Sequence, residues 1–357
     1  MSAGGTINVM VVEDSIVARQ LLVHILTSDP AIRVVGCATS GEEAIAMLAE
    51  AKPDVVTMDI VMPKMDGFET TRLLMETQPL PIVIVSSNYD PNNIAQTFRA
   101  LEAGAVAAVE KPPGLQDPTH AVRAKKLIDT VKAMSEVRVV RRWPKTRAPV
   151  EAPPPVVKSS GEIRLIAIGA STGGPVVLQT ILTRVAKPLP VPVVVVQHIS
   201  SGFIQGLADW LNVVTGLQVK VAGDGERLLP GTVYLAPDDC QMKVQAGGRL
   251  ACVQAGAENG LRPSVSYLFR SVAATYRDSA VGILLTGMGR DGAAELKLMR
   301  DSGAITIAQD KESSVVFGMP GEAVKCGAAV HVLPPESIGD ALSSLLARST
   351  SHRHPPP

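Results

Sequence analysis

"IAIGASTGGP", residues 166–175, leads an apolar, strand-like run into a turn of small residues with the hydroxyl of Ser171 at its tip. A strand buried on both faces reads as an unbroken apolar segment, and glycines let the chain reverse tightly into a helix. The stretch therefore marks a strand-to-helix crossover, the unit of an α/β fold whose functional residues gather at the carboxyl edge of a parallel sheet. Its letters fit G-x-S-x-G through Gly169, Ser171 and Gly173, and equally fit the glycine-rich turn of a dinucleotide site. The turn alone leaves nucleophile, phosphate cradle and simple punctuation open.

Outward from this stretch, the same alternation of strand-length apolar runs and longer amphipathic segments fills the chain. Before it come "INVMVV" (7–12), "RVVGCA" (33–38), "VVTM" (55–58), "PIVIVS" (81–86) and "AVAAV" (105–109). Helical patterns follow near 15–27, 41–50, 67–77, 91–102 and 118–134, which predicts a flavodoxin-like (βα)5 domain over 1–135. "EVRVVRRWPKTRAPVEAPPPVVKSSG" (136–161) then breaks the pattern with five prolines and many charges, the composition of a linker. Its Arg138, Arg141, Arg142, Lys145 and Arg147 read as a solvated hinge. Strands near 163–169, 192–197, 219–221, 232–235, 250–254, 280–286, 304–308 and 329–332 predict a larger, doubly wound parallel-sheet domain over 162–348, with a flexible tail over 349–357.

A length of 357 residues agrees with two cores. With 34 basic and 34 acidic residues there is no net charge to draw the chain to nucleic acid or an anionic membrane. Cys37, Cys240, Cys252 and Cys326 lack the spacing of a zinc site or disulfide framework. Apolar runs are too short to insert in a membrane, and the N-terminus lacks signal-peptide character, so a cytoplasmic location is expected.

In the first domain, Glu13 and Asp14 follow strand one, Asp59 follows strand three, Ser86 ends strand four and Lys111 follows strand five. All converge on the carboxyl edge. Three carboxylates there call for a cation, and hard oxygen ligands suit Mg2+. One such carboxylate would be read as a helix cap; five chemistry-bearing residues at the right strand ends predict a phosphoryl site. With "VVEDS", "MDIVMPKMDG", "VSS" and "EKPPG" in order, residues 7–134 resemble the receiver domain of two-component response regulators. The resemblance implies that Asp59 accepts a phosphoryl group from a histidine kinase. It also implies Mg2+ held by Glu13, Asp14, Asp59 and the Val61 carbonyl, with Ser86 and Lys111 holding the phosphoryl oxygens. The aromatic residue usual three positions before the lysine is replaced by Ala108.

A nucleophilic Ser171 needs a base and an orienting carboxylate. Of six histidines, His24 and His120 fall in receiver helices and His352 and His354 in the tail. His198 closes the strand "VPVVVVQH" and so reaches the carboxyl edge, whereas His331 lies within the strand "AAVHVL". In "VGILLTGMGRDG" (281–292) a second strand enters a glycine-rich turn, and Asp291 opens the next helix. Asp291 is then either a helix cap or the triad acid. Backbone N–H groups around Thr172 and Met288 are placed to form an oxyanion hole, worth roughly 10²–10³ in rate per donor. The order Ser, His, Asp is not that of an α/β-hydrolase, which places its acid before its histidine. Gln197 and His198 stand where a dehydrogenase would carry an acidic ribose ligand. No basic recognition helix marks a nucleic-acid-binding output.

"IGASTGGP", "VVQHISSGF", "LLPGTVYLAPDD", "LRPSVSYLFRSVA", "LLTGMGRDGA" and "IAQDKESSVVFGMP" resemble, over residues 163–347, the catalytic domain of the chemotaxis receptor methylesterases, the CheB family. The resemblance implies a serine hydrolase with Ser171 as nucleophile, His198 as base, Asp291 as orienting acid, and Thr172 and Met288 at the oxyanion, requiring no cofactor for the esterase step. It implies hydrolysis of glutamyl methyl esters, and deamidation of glutamine, on chemoreceptor helices, with the receiver covering the active site until Asp59 is phosphorylated. The alternative is a weakly active regulator serving as phosphate sink or scaffold. Leu261, Ser266 and Gln241 replace a histidine, an aspartate and a histidine of the usual pattern, and are expected to reshape the receptor-facing surface.

Overall fold

The computed structural model describes residues 6–86, 91–137, 139 and 162–351, and the chain divides into two compact units, Met1–Ala148 and Pro149–Pro357. The charged and proline-rich positions from 140 to 161, together with Arg138, lie outside the described residues, as do His352 and His354.

The first unit alternates β1 (Ile7–Val12), α1 (Ile16–Thr27), β2 (Ile32–Ala38), α2 (Gly41–Ala51), β3 (Val55–Met58), α3 (Gly67–Thr77), β4 (Ile82–Ser86), α4 (Pro91–Ala103), β5 (Ala107–Glu110) and α5 (His120–Ser135). The strands form one parallel sheet in the order β2-β1-β3-β4-β5, and β3 and β4 are buried throughout. Helix starts follow local chemistry: Ser15, Ser40 and Asp66 each accept a backbone N–H of the following turn, satisfying donors that a helix leaves unpaired.

The second unit contains β6 (Leu165–Ala170), α6 (Gly174–Arg184), β7 (Val193–Gln197), α7 (Ile204–Thr215), β8 (Gln218–Val221), β9 (Thr232–Leu235), β10 (Gln241–Gln245), β11 (Arg249–Val253), α8 (Val265–Tyr276), β12 (Ala280–Leu284), α9 (Ala293–Asp301), β13 (Ile305–Gln309), α10 (Met319–Lys325), β14 (His331–Leu333) and α11 (Pro335–Ser351). Seven strands form a parallel sheet in the order β14-β13-β12-β6-β7-β9-β8. The chain leaves β6 toward β7 on one side and returns through β12 on the other. The carboxyl ends of β12, β6 and β7 therefore flank the switch in winding direction, where open α/β sheets bind ligands.

Two sequence expectations are corrected. The strand expected at 250–254 belongs to an antiparallel hairpin with β10, apart from the parallel sheet. Residues 245–249, "QAGGR", turn the chain back through Gly247 and Gly248, both at positive φ; a connection this short joins only antiparallel strands. Helix α11 also runs through Ser351, into the segment expected to begin the tail at 349; the sequence has no glycine or proline between Gly339 and Pro355 to end it earlier.

Candidate active site

Neighbouring strands bring Asp291, Ser171 and His198 to one edge: β12 leads to Asp291, β6 to Ser171 and β7 to His198. The His198 N–H donates to the Ala170 carbonyl at 2.8 Å, the final rung between β7 and β6. His198 Nε2 lies 3.0 Å from Asp291 Oδ2, which leaves Nδ1 as the ring nitrogen directed away from the acid. His331 opens the edge strand β14, three strands removed from β6, and takes no part in this cluster.

Asp291 is 4 % exposed, and its surroundings correct the reading of it as a cap of its own helix. Gly292, at φ 82°, is the N-cap of α9. Asp291 instead sits at the start of α8: Ser264 Oγ donates to Oδ1 at 2.9 Å, the Val265 N–H to Oδ2 at 2.7 Å and the Ser266 N–H to Oδ1 at 3.1 Å. Burial alone would raise this carboxyl, but the adjoining His198 and the donors of Ser266 and Val265 outweigh it and hold it at about 2. A carboxyl lowered from 3.8 to about 2 on folding contributes about 2 kcal/mol of stability. The sign follows from the lowered value: the contribution is complete above about pH 4 and is lost as pH falls toward 2. Acid unfolding of Asp291→Asn, compared with the parent chain, should show the difference in stability shrinking over that window.

The backbone around Ser171 is fixed from two sides. Its N–H donates to the Thr286 carbonyl at 3.0 Å, and its carbonyl accepts from the Gly174 N–H at 2.8 Å and from Gln197 Nε2 at 2.7 Å. Thr286 Oγ1 donates to the Thr172 carbonyl at 2.9 Å, and the Gly287 N–H donates to Val316 O at 3.0 Å. The N–H groups of Ser171 and Gly287 are thus committed, so Thr172 and Met288 carry the next N–H on each turn. The two turns are in close contact, because a Cβ on Gly287 would lie 2.5 Å from the Ser171 Cβ. Met288 is an exposed methionine at this edge.

Departures from the usual pattern fall inside the unit. Gln241 is fully buried; its Nε2 donates to the carbonyls of Gly256 and Leu261 at 3.2 and 3.0 Å, and its Oε1 accepts the Ser264 N–H at 2.9 Å. Ser266 is also buried, donating to Glu295 Oε2 at 2.6 Å and accepting from the Gly292 N–H at 2.9 Å. Both therefore support the segment that holds Asp291, instead of shaping an outer surface as expected; Leu261 is partly exposed. Their polar pairing makes sense only once residues 241, 264 and 291, distant in sequence, are brought together.

In the first unit, carboxylate oxygens of Glu13, Asp14 and Asp59 lie within 4.8 Å of one another. Glu13 and Asp59 are buried and Asp14 is exposed. Lys111 Nζ lies 2.8 Å from Glu13 Oε2 and 2.9 Å from Asp59 Oδ2, while Asp59 Oδ1 accepts the Ile60 N–H at 2.8 Å. Burial, reinforced by Asp59, pushes the Glu13 carboxyl up to about 7 against the opposing pull of Lys111. Three acidic groups beside one ammonium leave excess negative charge, and an all-oxygen set with one member open to water fits a divalent cation of the Mg2+ type. Ser86 is buried at the end of β4, and its carbonyl accepts the Lys111 N–H at 2.9 Å. Val61 follows β3 in the loop to α3.

Residues 166–342 match the family described as CheB methylesterase, and residues 9–123 match the response regulator receiver domain. A Nitrosospira multiformis protein named protein-glutamate methylesterase/protein-glutamine glutaminase is 52 % identical over 96 % of this chain and 97 % of its own length. A Geobacter metallireducens protein named protein-glutamate methylesterase/protein-glutamine glutaminase 4 is 51 % identical over 95 % and 99 %. The solved catalytic domain of Thermotoga maritima CheB methylesterase is 38 % identical, covers 51 % of this chain and 98 % of that domain, and superposes with a TM-score of 0.50. Likeness at this level through both units leaves one assignment: the chain belongs to the CheB family of methylesterases, in the form with a receiver domain ahead of the catalytic domain.

Proposed function

We propose that the chain is a phosphorylation-regulated protein-glutamate methylesterase and protein-glutamine glutaminase acting on chemoreceptor cytoplasmic helices. The observation that carries this is the delivery of Ser171, His198 and Asp291 by adjacent strand ends, with the His198 and Asp291 side chains 3.0 Å apart. Ser171 Oγ attacks the ester carbonyl carbon as His198 Nδ1 takes its proton, and Asp291 holds the Nε2 side of the ring. The N–H groups of Thr172 and Met288 receive the charge that develops on the carbonyl oxygen. Collapse expels methanol, protonated by His198. Water then attacks the acyl-enzyme with His198 as base, freeing the glutamate carboxylate and Ser171. A glutamine side chain follows the same course with ammonia as leaving group. The convergence of Ser171, His198 and Asp291 on one sheet edge favours this reading over that of a weakly active phosphate sink or scaffold.

Regulation rests on Asp59 as acceptor of a phosphoryl group from a histidine kinase. Glu13, Asp14, Asp59 and the Val61 carbonyl would hold Mg2+, which would supply charge neutralisation at that rim. Lys111, paired with Glu13 and Asp59, turns with Ser86 to the phosphoryl oxygens. The added charge orders the rim and releases the catalytic unit from restraint by the receiver. Ala108 has no ring to swing, so the change travels without an aromatic switch.

Methanol release from methylated receptor membranes, measured with and without a small phosphodonor and Mg2+, tests both parts. Activity should rise with the phosphodonor, and Asp59→Asn should block the rise while sparing basal turnover. Removal of residues 1–161 should raise turnover without any phosphodonor. A truncated enzyme no faster than the unphosphorylated full chain would replace restraint with recruitment to substrate, or with drainage of phosphate from the kinase.

A further inference from the structure

We propose that Gln197 is a positioning residue of the esterase, and that its side-chain amide fixes Ser171 against His198. The inference rests on the serine hydrolase reading and extends it to a residue outside the triad. Gln197 is the last residue of β7, paired in register with Ala170 at the end of β6. One residue later the His198 N–H to Ala170 carbonyl bond closes the backbone ladder, and the two chains turn away into the Ser171 turn and the His198 loop. The next rung comes from the side chain. Gln197 Nε2 donates to the Ser171 carbonyl at 2.7 Å and to the His198 carbonyl at 2.9 Å, so one nitrogen holds the residues proposed as nucleophile and base.

This requirement is chemically narrow. A single atom must present two protons to two carbonyl oxygens in a site where Gln197 is only 2 % exposed. A lysine or arginine would bury a charge there, asparagine is one methylene short, and an ionised glutamate would set an acceptor against two acceptors. The rest of the amide is accommodated as well. Gln197 Oε1 is buried without a hydrogen-bond partner among the described residues. It lies beside Gly174, where a Cβ would approach it to 2.1 Å. Glycine at 174 is thus what lets the amide seat, and the amide acts on the reaction only through Ser171 and His198.

The test uses the full chain and a fluorophosphonate, which reacts with an activated serine and needs no receptor. Gln197→Met keeps the length and apolar packing and removes both donors. Gln197→Glu keeps the shape, donates nothing when ionised, and regains one donor when protonated. For Gln197→Met the labelling rate of Ser171 and the kcat for methanol release should fall together by about 100-fold, the scale of a displacement near 1 Å, with KM for receptor membranes within twofold of the parent. For Gln197→Glu the deficit relative to the parent at each pH should shrink as pH is lowered, which loss of packing would not produce. A folded Gln197→Met protein that reacts within threefold of the parent overturns the inference, as does a Gln197→Glu deficit that stays constant across pH. Failure of the parent chain itself to be labelled at Ser171 would instead remove the nucleophile reading, and the inference with it.

Discussion

Ser171→Ala should reduce methanol release from methylated receptors by roughly 10⁶-fold, the scale seen when the nucleophile of a serine triad is removed. No second group replaces it. The hydroxyl is the proposed covalent centre, and its backbone is held by Thr286, Gly174 and Gln197, so truncating the side chain leaves the turn intact. His198→Ala should be of similar size and should add little to the Ser171 substitution, because members of one catalytic unit are not additive. Burst kinetics with an activated ester would report the acyl-enzyme directly. Turnover within 100-fold of the parent would sink Ser171 as nucleophile, and a mild His198 effect beside a severe His331 effect would transfer the base to the edge strand.

Asp291→Asn should cost about 10⁴-fold in kcat with little change in KM, the magnitude associated with an amide that stabilises the wrong histidine tautomer. Here the amide meets a further conflict. Asp291 accepts from Ser264 Oγ and from the N–H groups of Val265 and Ser266, and an asparagine NH2 turned toward them places donor against donor. Turning the NH2 toward His198 keeps the Ser264 and Ser266 donors paired but sets it against the Val265 N–H, which shares Oδ2 with the histidine, and requires Nε2 to accept, which moves the ring proton to Nδ1, the nitrogen that must take the Ser171 proton. With the Asp291 carboxyl held at about 2, the acid limb of the parent pH profile should contain no step from this group at pH values where the chain is folded. A step in the parent profile between pH 3 and 5 that disappears in Asp291→Asn would refute the cradle described for this carboxylate.

Strand ends were the most legible part of the sequence. "INVMVV" and "VVTM" were read at the bounds the structure gives β1 and β3, and the run ending in Gln197 and His198 at the bounds of β7 within a residue. Continuous Val and Ile runs buried on both faces admit few alternatives, and parallel topology sends whatever follows them to one edge. The same logic put Glu13, Asp59 and Lys111 together, and Ser171 with His198 and Asp291. β10 escaped detection because "QMKVQ" alternates with polar residues and carries only a weak apolar signal. The role of Asp291 at the start of α8 was also hidden. Ser264 caps α8, but the approach of residue 291 to it is decided by tertiary packing. Gln241 and Ser266 were placed on the surface since only departure from a pattern was visible, and burial is settled by chain segments far away.

The order of strands in the catalytic sheet sets a timetable for synthesis. β6 lies between β7 and β12, yet β12 and the loop that carries Asp291 are made long after β6 and β7; 120 residues separate Ser171 from Asp291. At about 5–20 residues per second a ribosome needs roughly 6–24 s to cover that interval. Once residue 198 is made, the nascent chain carries its serine and histidine with one flank of β6 unpaired and no acid to orient the ring. Esterase activity therefore reports that the sheet has closed on both sides of β6, and a ribosome-stalled chain ending before residue 291 should expose the serine while remaining inert toward methylated receptors.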